Sequence, residues 1–288
     1  MSQEQDAVAP PESIDWVARW RRQVEARHDQ GRRFDREHHR TDAWAHRARR
    51  FASHVAESGA DDPLLGRLQL LVDETTTVLD VGSGPGRHTI PLARITRSVV
   101  AIEPSAAMRD VLIEAVDVAG LTNVTVVASS WPSDNLPSAD VVLCSHVVYP
   151  IADIAPFLTA LNAAAAQSCY VQMRIGQRES WFAPLFADIW GESRVPTPNA
   201  LDCFNVAHQL GLPANFDFVR FEDWRRFESF DQAVEQVWND VLNPPHDDAR
   251  DKIRAFLTDQ LRPISDGRLG VPGARNPGAG IVWWTKTR

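Results

Sequence analysis

The 288-residue sequence contains few cysteines and few lysines. Its three cysteines, Cys144, Cys169 and Cys203, lie too far apart for the paired spacing of a zinc knuckle, and they do not make a disulfide framework. Two of the 30 basic residues are lysines, Lys252 and Lys286, and the rest are arginines. This cysteine usage suits a reducing compartment, so we expect a cytoplasmic protein.

The sequence also lacks a long apolar run. The acidic residues 1–13 contain no apolar core of a signal peptide, and we expect them to form a disordered tail. The most apolar stretch, residues 141–166, is interrupted by His146, Asp153 and Pro156, among others. It is too polar to span a bilayer, so we expect no membrane partner.

The net charge of −8 does not favour a general polyanion binder. The charge is uneven, because residues 16–50 hold eleven arginines and five acidic residues. In this segment Trp16, Trp20 and Val24 fall on one helical face, which predicts amphipathic helices with arginine-rich solvent faces. Such faces are most often solvated surface, and we expect no nucleic-acid partner. Docking of RNA or a protein on this segment is the alternative.

From Thr76 onward, short β-branched runs alternate with helical stretches. This pattern predicts an α/β fold with a mostly parallel sheet and helices on both faces. The predicted strands are Thr77–Val81, Ser98–Glu103, Asn123–Ala128, Ala139–Ser145, Cys169–Ile175, Phe216–Phe221 and Gly280–Thr285. The predicted helices are Leu64–Val72, Ile90–Ile95, Ala106–Ala119, Ile154–Ala166, Trp181–Trp190, Leu201–Leu210, Phe230–Leu242 and Ala249–Leu261.

These patterns divide the chain after the tail into a cap, an α/β domain and an insertion within that domain. After the tail we expect an N-terminal helical cap over residues 14–69 and an α/β domain over residues 70–288. A helical insertion at about 222–270, before the last strand, is expected to form a lid. Aromatic residues of the cap and the lid are numerous enough to wall a substrate cavity, although helix-face aromatics are more often core. They include Trp20, Phe34, Trp44, Trp181, Phe182, Trp224 and Trp238.

A glycine-rich loop follows the first predicted strand. In V-L-D-V-G-S-G-P-G, residues 78–86, glycines stand at alternate positions just ahead of a helix. Glycine allows a sharp turn and lets a ligand lie against bare main chain. Glu103 ends the second strand, where a carboxylate can accept hydrogen bonds from ribose hydroxyls. Arg87 stands where a dinucleotide motif needs its third glycine, which disfavours an NAD-linked enzyme.

With these residues the chain resembles the class I S-adenosylmethionine-dependent methyltransferases over roughly Leu70–Ile175. The resemblance implies a Rossmann-like sheet of seven strands with the last one antiparallel, and S-adenosyl-L-methionine as cofactor. It also assigns residues to the cofactor's parts. Asp80 would lie near the methionine portion, Gly82, Ser83, Gly84 and Gly86 would line the cofactor, and Glu103 with Pro104 would meet the ribose.

Other cofactor contacts are less specific. Met108 would pack on adenine or belong to the helix core, and His88 would meet the methionine carboxylate or lie at the surface. Family members often carry an acid after the third strand, where this chain has Ser129, Ser130 and Trp131. The Ser130 hydroxyl or backbone groups could replace the acid, and Trp131 could supply an apolar wall.

The carboxyl end of the fourth strand carries Ser145, His146 and Tyr149, which should face the transferred methyl group. Ser145 is expected to contact the cofactor, and His146 and Tyr149 are the candidate catalytic residues. His146 is the candidate proton acceptor, because an unperturbed imidazole has a pKa near 6.5. Its alternative role is a hydrogen bond to the cofactor or the strand. Tyr149 would shape the acceptor pocket or be a packed aromatic.

The predicted function is methyl transfer to a small-molecule acceptor by in-line displacement. The sequence has no Asn/Asp-Pro-Pro-aromatic motif after the fourth strand, which disfavours a nucleobase amine as acceptor. No cluster of residues has metal-ligand spacing, so we expect no metal. An RNA or protein methyltransferase and a non-catalytic adenosine-binding module are the alternatives. The sequence does not specify the oligomeric state.

Overall fold

The molecule is organised around a large β-sheet. A computed structural model describes residues 14–34, 48–49, 62–133, 138–177, 180–219, 226–242, 244, 248–271 and 278–286. The predicted tail, most of the second half of the cap, and the aromatic residues Trp44 and Trp224 lie outside these ranges.

Ten strands are found in the described ranges, and seven of them form the main sheet. The strands of the main sheet are β1 (Thr77–Val81), β2 (Ser98–Ile102), β3 (Val124–Val127), β4 (Ala139–Ser145), β5 (Ala165–Arg174), β6 (Asn215–Val219) and β10 (Ala279–Thr285). Their order is β3-β2-β1-β4-β5-β10-β6. Neighbours among β1–β5 pair in parallel, whereas β10 is antiparallel to both β5 and β6. The predicted fold class is confirmed.

The helices cover both faces of this sheet. They are α1 (Trp16–Phe34), α2 (Pro63–Gln69), α3 (Thr89–Ala93), α4 (Ala106–Val118), α5 (Ile154–Ala164), α6 (Ala183–Trp190), α7 (Ala200–Gln209), α8 (Phe230–Asp240) and α9 (Ala249–Gln260). Helices α1, α5 and α7 pack on one face, and α2, α3 and α4 pack on the other. The result is a three-layer α/β arrangement.

Several helices begin at a residue that caps their free N–H groups. The Asp62 carboxylate accepts from the N–H groups of Leu64 and Leu65 at the start of α2. Ser105 Oγ accepts from the N–H of Met108 at the start of α4. Such side-chain caps stabilise a helix by about 0.5–2 kcal/mol, and they fix where the chain leaves each preceding strand or loop.

A second hydrophobic core lies beside the sheet. Its buried residues come mainly from helices α6, α8 and α9, and they pack together with Phe182 and Phe227. Phe34, at the end of α1, packs on this cluster. The described part of the predicted insertion also contains short strands β7 (Arg226–Phe227), β8 (Arg262–Pro263) and β9 (Leu269–Gly270), in the order β7-β9-β8. The insertion therefore combines helices with a small antiparallel sheet and shares its core with α6.

The aromatic side chains expected near the substrate contribute to these two cores. Trp20 is fully buried in the core of the sheet, and its Nε1 donates to the carbonyl oxygen of Ile151 at 2.7 Å. Phe34, Trp181 and Trp238 pack against the second core. Core packing, the alternative stated for these residues, is what the structure shows for them.

The three cysteines are buried, whereas the two lysines are half-buried. All three cysteines are free thiols buried in the core of the sheet, and burial raises the pKa of each. Lys286 follows β10, and its backbone N–H donates to the Gln167 carbonyl oxygen, near the start of β5.

In the described ranges, no helix combines the length and the apolar character needed to cross a membrane.

Candidate functional site

The glycine-rich loop connects β1 to α3 at the carboxyl end of the sheet. Gly82, Gly84 and Gly86 all have positive φ angles, of 72°, 54° and 95°. The N–H groups of Gly82 and Ser83 both donate to the carbonyl oxygen of Ile102, at 2.8 and 3.1 Å. The loop is therefore attached to the end of β2, and its tight course requires glycine.

The three glycines are not equivalent. A Cβ on Gly82 would lie 2.3 Å from Cγ2 of Val147, and a Cβ on Gly86 would lie 2.6 Å from Cδ1 of Leu112. These two positions are glycine because protein atoms leave no room for a side chain. A Cβ on Gly84 would meet no protein atom within 4 Å. Gly84 is thus the point of the loop where bare backbone borders open space.

Glu103 closes the loop from the second strand. Its Oε2 accepts from the N–H of Gly84 at 2.9 Å, and its Oε1 accepts from the N–H of Ser105 at 2.8 Å. The side chain is buried, and burial raises its pKa despite these two hydrogen bonds. Each carboxylate oxygen keeps a lone pair for a further donor. Glu103 can therefore position the loop and also accept from a ligand hydroxyl.

Asp80 is buried at the end of β1, beneath the loop. Its Oδ2 accepts from the Thr89 hydroxyl at 2.7 Å. Burial raises the pKa of Asp80, although His88 and Thr89 oppose the shift. The nearby Ser83 hydroxyl is buried and has no hydrogen-bond partner among the described residues. The floor of the loop thus contains two polar groups, one of them without a protein partner.

An unpredicted buried carboxylate lies next to the loop. Asp62 Oδ2 is 2.7 Å from Nε of Arg87 and 3.2 Å from Nε2 of His88. Burial alone would raise the pKa of Asp62, but His88 and Arg87 outweigh burial and lower it. This cluster joins the start of α2 to the start of α3. His88 is buried, so of its two expected positions the surface is excluded.

The remaining cofactor-binding predictions lie around the ends of β2 and β3. Met108 is buried in α4, whereas Pro104 is exposed and uses its carbonyl oxygen to accept from Arg109. Ser129 Oγ donates to the carbonyl oxygen of Ser130, which is exposed. Trp131 donates from Nε1 to the carbonyl oxygen of Phe157 at 3.2 Å and packs against the core of the sheet.

His146 and Tyr149, both expected to face the methyl group, contact each other at the end of β4. Nδ1 of His146 hydrogen bonds with Tyr149 Oη at 2.8 Å. Tyr149 Oη also accepts from the backbone N–H of Arg174, at the end of β5, at 2.9 Å. The backbone N–H of His146 donates to the carbonyl oxygen of Gln172. These contacts fix the imidazole between two strand ends.

His146 does not keep the pKa expected from its residue type. Burial, with smaller effects from the positive charges of Arg174 and Arg87, lowers the pKa of His146 to about 3. The imidazole is therefore neutral at pH 7. Since a proton acceptor works best when its pKa is near the working pH, His146 is a weaker base than the sequence suggests. Burial and the two guanidinium groups could not be read from the sequence.

Ser145 is paired with a buried amide. Its Oγ donates to Oε1 of Gln172 at 3.1 Å. Gln172 is fully buried, and its Nε2 has no hydrogen-bond partner in the described part of the chain. Gln172 and Arg174 were not predicted from the sequence. The sequence feature that could have indicated them is a polar residue at every second position near the end of an otherwise apolar strand.

Comparisons with known proteins agree with this geometry. A family model described as a methyltransferase domain matches residues 78–167, which include the glycine loop, Glu103 and the end of β4. The chain is 30% identical over 253 residues to an uncharacterised protein of Haemophilus influenzae, covering 85% of this chain and 89% of the relative.

Solved structures share the fold. The YcgJ protein of Bacillus subtilis has a TM-score of 0.52 at 12% identity, covering 78% of this chain and 98% of that one. A structure described as a putative methyltransferase from Bacillus halodurans has a TM-score of 0.51 at 14% identity, covering 76% and 96%. The fold, the glycine loop and the match to the methyltransferase domain all indicate the same family. The chain belongs to the class I S-adenosylmethionine-dependent methyltransferases, and S-adenosyl-L-methionine is its cofactor.

Proposed function

We propose that this enzyme methylates a small molecule that binds beside the carboxyl ends of β4 and β5. The observation that carries the proposal is how the chain uses the arginines of α1. Arg21 pairs with Asp153 in the segment after β4, and Arg33 pairs with Glu192. Arg27 donates to the carbonyl oxygen of Val195. These side chains bind α1 to its own protein, which argues against the use of α1, the main described part of the basic segment, as a docking surface for RNA or an acidic protein.

The glycine loop fits the cofactor. Open space borders Gly84, the Ser83 hydroxyl lacks a protein partner, and Glu103 has lone pairs for ribose hydroxyls. We assign these three residues to the cofactor, together with Asp80 beneath the loop. When bound, S-adenosyl-L-methionine would supply an electrophilic methyl group, which the acceptor atom would attack in line with the breaking C–S bond, and S-adenosylhomocysteine would be the leaving group.

The protein's contribution is mainly alignment. Holding two reactants in the right geometry is worth roughly 7–11 kcal/mol. Tyr149 is fixed by the Arg174 backbone, and it in turn orients the His146 ring. Because His146 is neutral, we propose that it orients the acceptor by hydrogen bonding. The acceptor atom then either enters without its proton or releases the proton to water after transfer.

The acceptor class is tested by methyl-labelled S-adenosyl-L-methionine. The enzyme is incubated separately with a pool of small molecules, with total RNA and with a protein extract. We expect label only in the small-molecule pool. Label in RNA or protein, or tight cofactor binding with label in none of the three, would overturn the proposal.

A matched pair of variants shows that the label depends on the site. Gly84→Val places a branched side chain in the open space over the loop. Gly120→Val, after α4, has a similar φ of 65° and also meets no atom within 4 Å, so its backbone strain is comparable. We expect Gly84→Val to lower incorporation and cofactor affinity by about tenfold or more, which is a loss of about 1.4 kcal/mol. Gly120→Val should stay within about twofold of the wild type.

A further inference from the structure

Arg174 carries a positive charge that the described residues do not neutralise. Its guanidinium carbon lies 5.2 Å from the ring centroid of Tyr149, and the residue is half-buried. No carboxylate in the described ranges lies within ion-pair distance of it. Arg67 is a useful contrast, because it also lies over aromatic rings but pairs with Asp217.

A second donor projects from the same side of β5. Side chains two residues apart in a strand lie on one face, so Gln172 and Arg174 point to the same side of the sheet. Gln172 Oε1 accepts from Ser145, but its fully buried Nε2 has no acceptor among the described residues. Buried donors are nearly always satisfied, so such a group needs an explanation. Beside the end of β4, Arg174 therefore offers a positive charge and Gln172 an N–H that is unpaired within the described ranges.

We propose that Arg174 and Gln172 bind an anionic group, a carboxylate or a phosphate, on the methyl acceptor. Guanidinium groups match the geometry of both anions. This inference rests on the proposed small-molecule function and adds the chemical class of the acceptor. In the sheet order, β5 is separated from β1 by β4. With neighbouring strands roughly 4.8 Å apart, Arg174 starts about 10 Å from the strand that carries the glycine loop. We therefore place Arg174 with the acceptor and not with the cofactor, and the first experiment tests that placement.

The first experiment asks whether Arg174 contacts the cofactor. Binding of S-adenosylhomocysteine is measured by isothermal titration for Arg174→Gln and for Arg97→Gln. Arg97 is exposed at the start of β2, at the opposite edge of the sheet, so this control makes the same charge change outside the site. We expect both variants to bind within about twofold of the wild type. A tenfold loss in Arg174→Gln alone would overturn the proposal.

The second experiment tests the acceptor. A pool of small molecules is separated by anion exchange into anionic and non-anionic fractions before each is incubated with labelled cofactor. We expect label in the anionic fraction, reduced about tenfold or more in Arg174→Gln, partly restored in Arg174→Lys and nearly unchanged in Arg97→Gln. Label confined to the non-anionic fraction would overturn the anionic class alone. Absence of label from both fractions would remove the small-molecule function as well.

A phosphatase distinguishes the two anions. The anionic fraction is treated with alkaline phosphatase before the assay. Label that survives the treatment supports a carboxylate, and label that disappears supports a phosphate monoester. Either result is consistent with recognition by Arg174, provided that the label in each case falls in Arg174→Gln.

Discussion

The backbone of His146 has a φ of 60°, in the left-handed region that residues other than glycine seldom adopt. The residue follows the last residue of β4, where Tyr149 and the end of β5 hold it in place. Strained positions of this kind cost of order 1–3 kcal/mol and cluster at functional sites. Glycine would remove the strain but also the ring, so the presence of histidine here favours a role for the imidazole.

We expect His146→Gly to be more stable than His146→Ala by about 0.5–1 kcal/mol, because a φ of 60° strains alanine but not glycine. The measurement is urea unfolding of both variants. Ser145→Gly and Ser145→Ala form the control pair, since Ser145 lies in a regular strand where alanine should be the more stable residue. An alanine variant at 146 that is as stable as the glycine variant would contradict the strain.

At the scale of elements, Asp62 connects α2 to α3. One carboxylate oxygen caps α2, and the other lies against Arg87 and His88. The pKa of Asp62 is lower in the folded state than its ordinary value of 3.8. The ionised carboxylate therefore stabilises the fold at pH values above 3.8, and this stabilisation is lost as the pH falls below 3.8. The junction of the two helices should therefore weaken in acid.

We expect Asp62→Asn to lose about 3 kcal/mol at pH 7, because it leaves the buried end of Arg87 without its partner while keeping a good helix cap. Asp62→Ala should lose about 1 kcal/mol more, the value of the cap. Urea midpoints at pH 7, 5 and 2.5 test both statements, because the carboxylate's contribution is lost only below pH 3.8. The wild type should approach Asp62→Asn as the pH falls. Parallel pH curves for the two proteins would show that the carboxylate does not stabilise the fold.

The sequence predicts the long strands of the main sheet better than it predicts the surroundings of the candidate site. Strands β1 and β4 have the predicted bounds, because each is an apolar run that ends at a glycine or a polar residue. Strands β7, β8 and β9 have two residues each, too few for any periodicity. The glycine loop and Glu103 were predictable from local spacing. Asp62 comes next to the glycine loop only through long-range packing. Gln172 and Arg174 have a local sequence pattern, but their closeness to the end of β4 and the pKa of His146 depend on how β5 packs.

On the scale of the whole molecule, α1 joins two cores. Trp20 and Val24 are buried in the core of the sheet, whereas Phe34 stacks on Trp190 of the second core at 4.3 Å between ring centroids. Trp190 itself donates to the carbonyl oxygen of Val241. With a rise of about 1.5 Å per residue, Trp20 and Phe34 lie about 21 Å apart along the helix. The stability of the second core should therefore depend on one end of α1.

We expect Phe34→Ala to destabilise the second core by about 2–3 kcal/mol and to leave the core of the sheet intact. The three buried thiols, all in the core of the sheet, report its opening through their rate of alkylation, and hydrogen exchange in α6, α8 and α9 reports the second core. Exchange should accelerate while alkylation does not. The control Leu158→Ala, in the core of the sheet, should accelerate alkylation. Faster alkylation in Phe34→Ala would mean that the two cores open together.

The scarcity of lysine has a practical consequence for handling this enzyme. Thr285, next to Lys286, pairs with Ser168 near the beginning of β5, at the edge of the sheet opposite the candidate site. Lys252 lies on α9, where Asp188 and Asp248 hold its ammonium group. Once the α-amino group is blocked, a solid support that couples through amines should therefore favour Lys286 over Lys252. The immobilised enzyme would then present the carboxyl ends of β1, β4 and β5 to the solution.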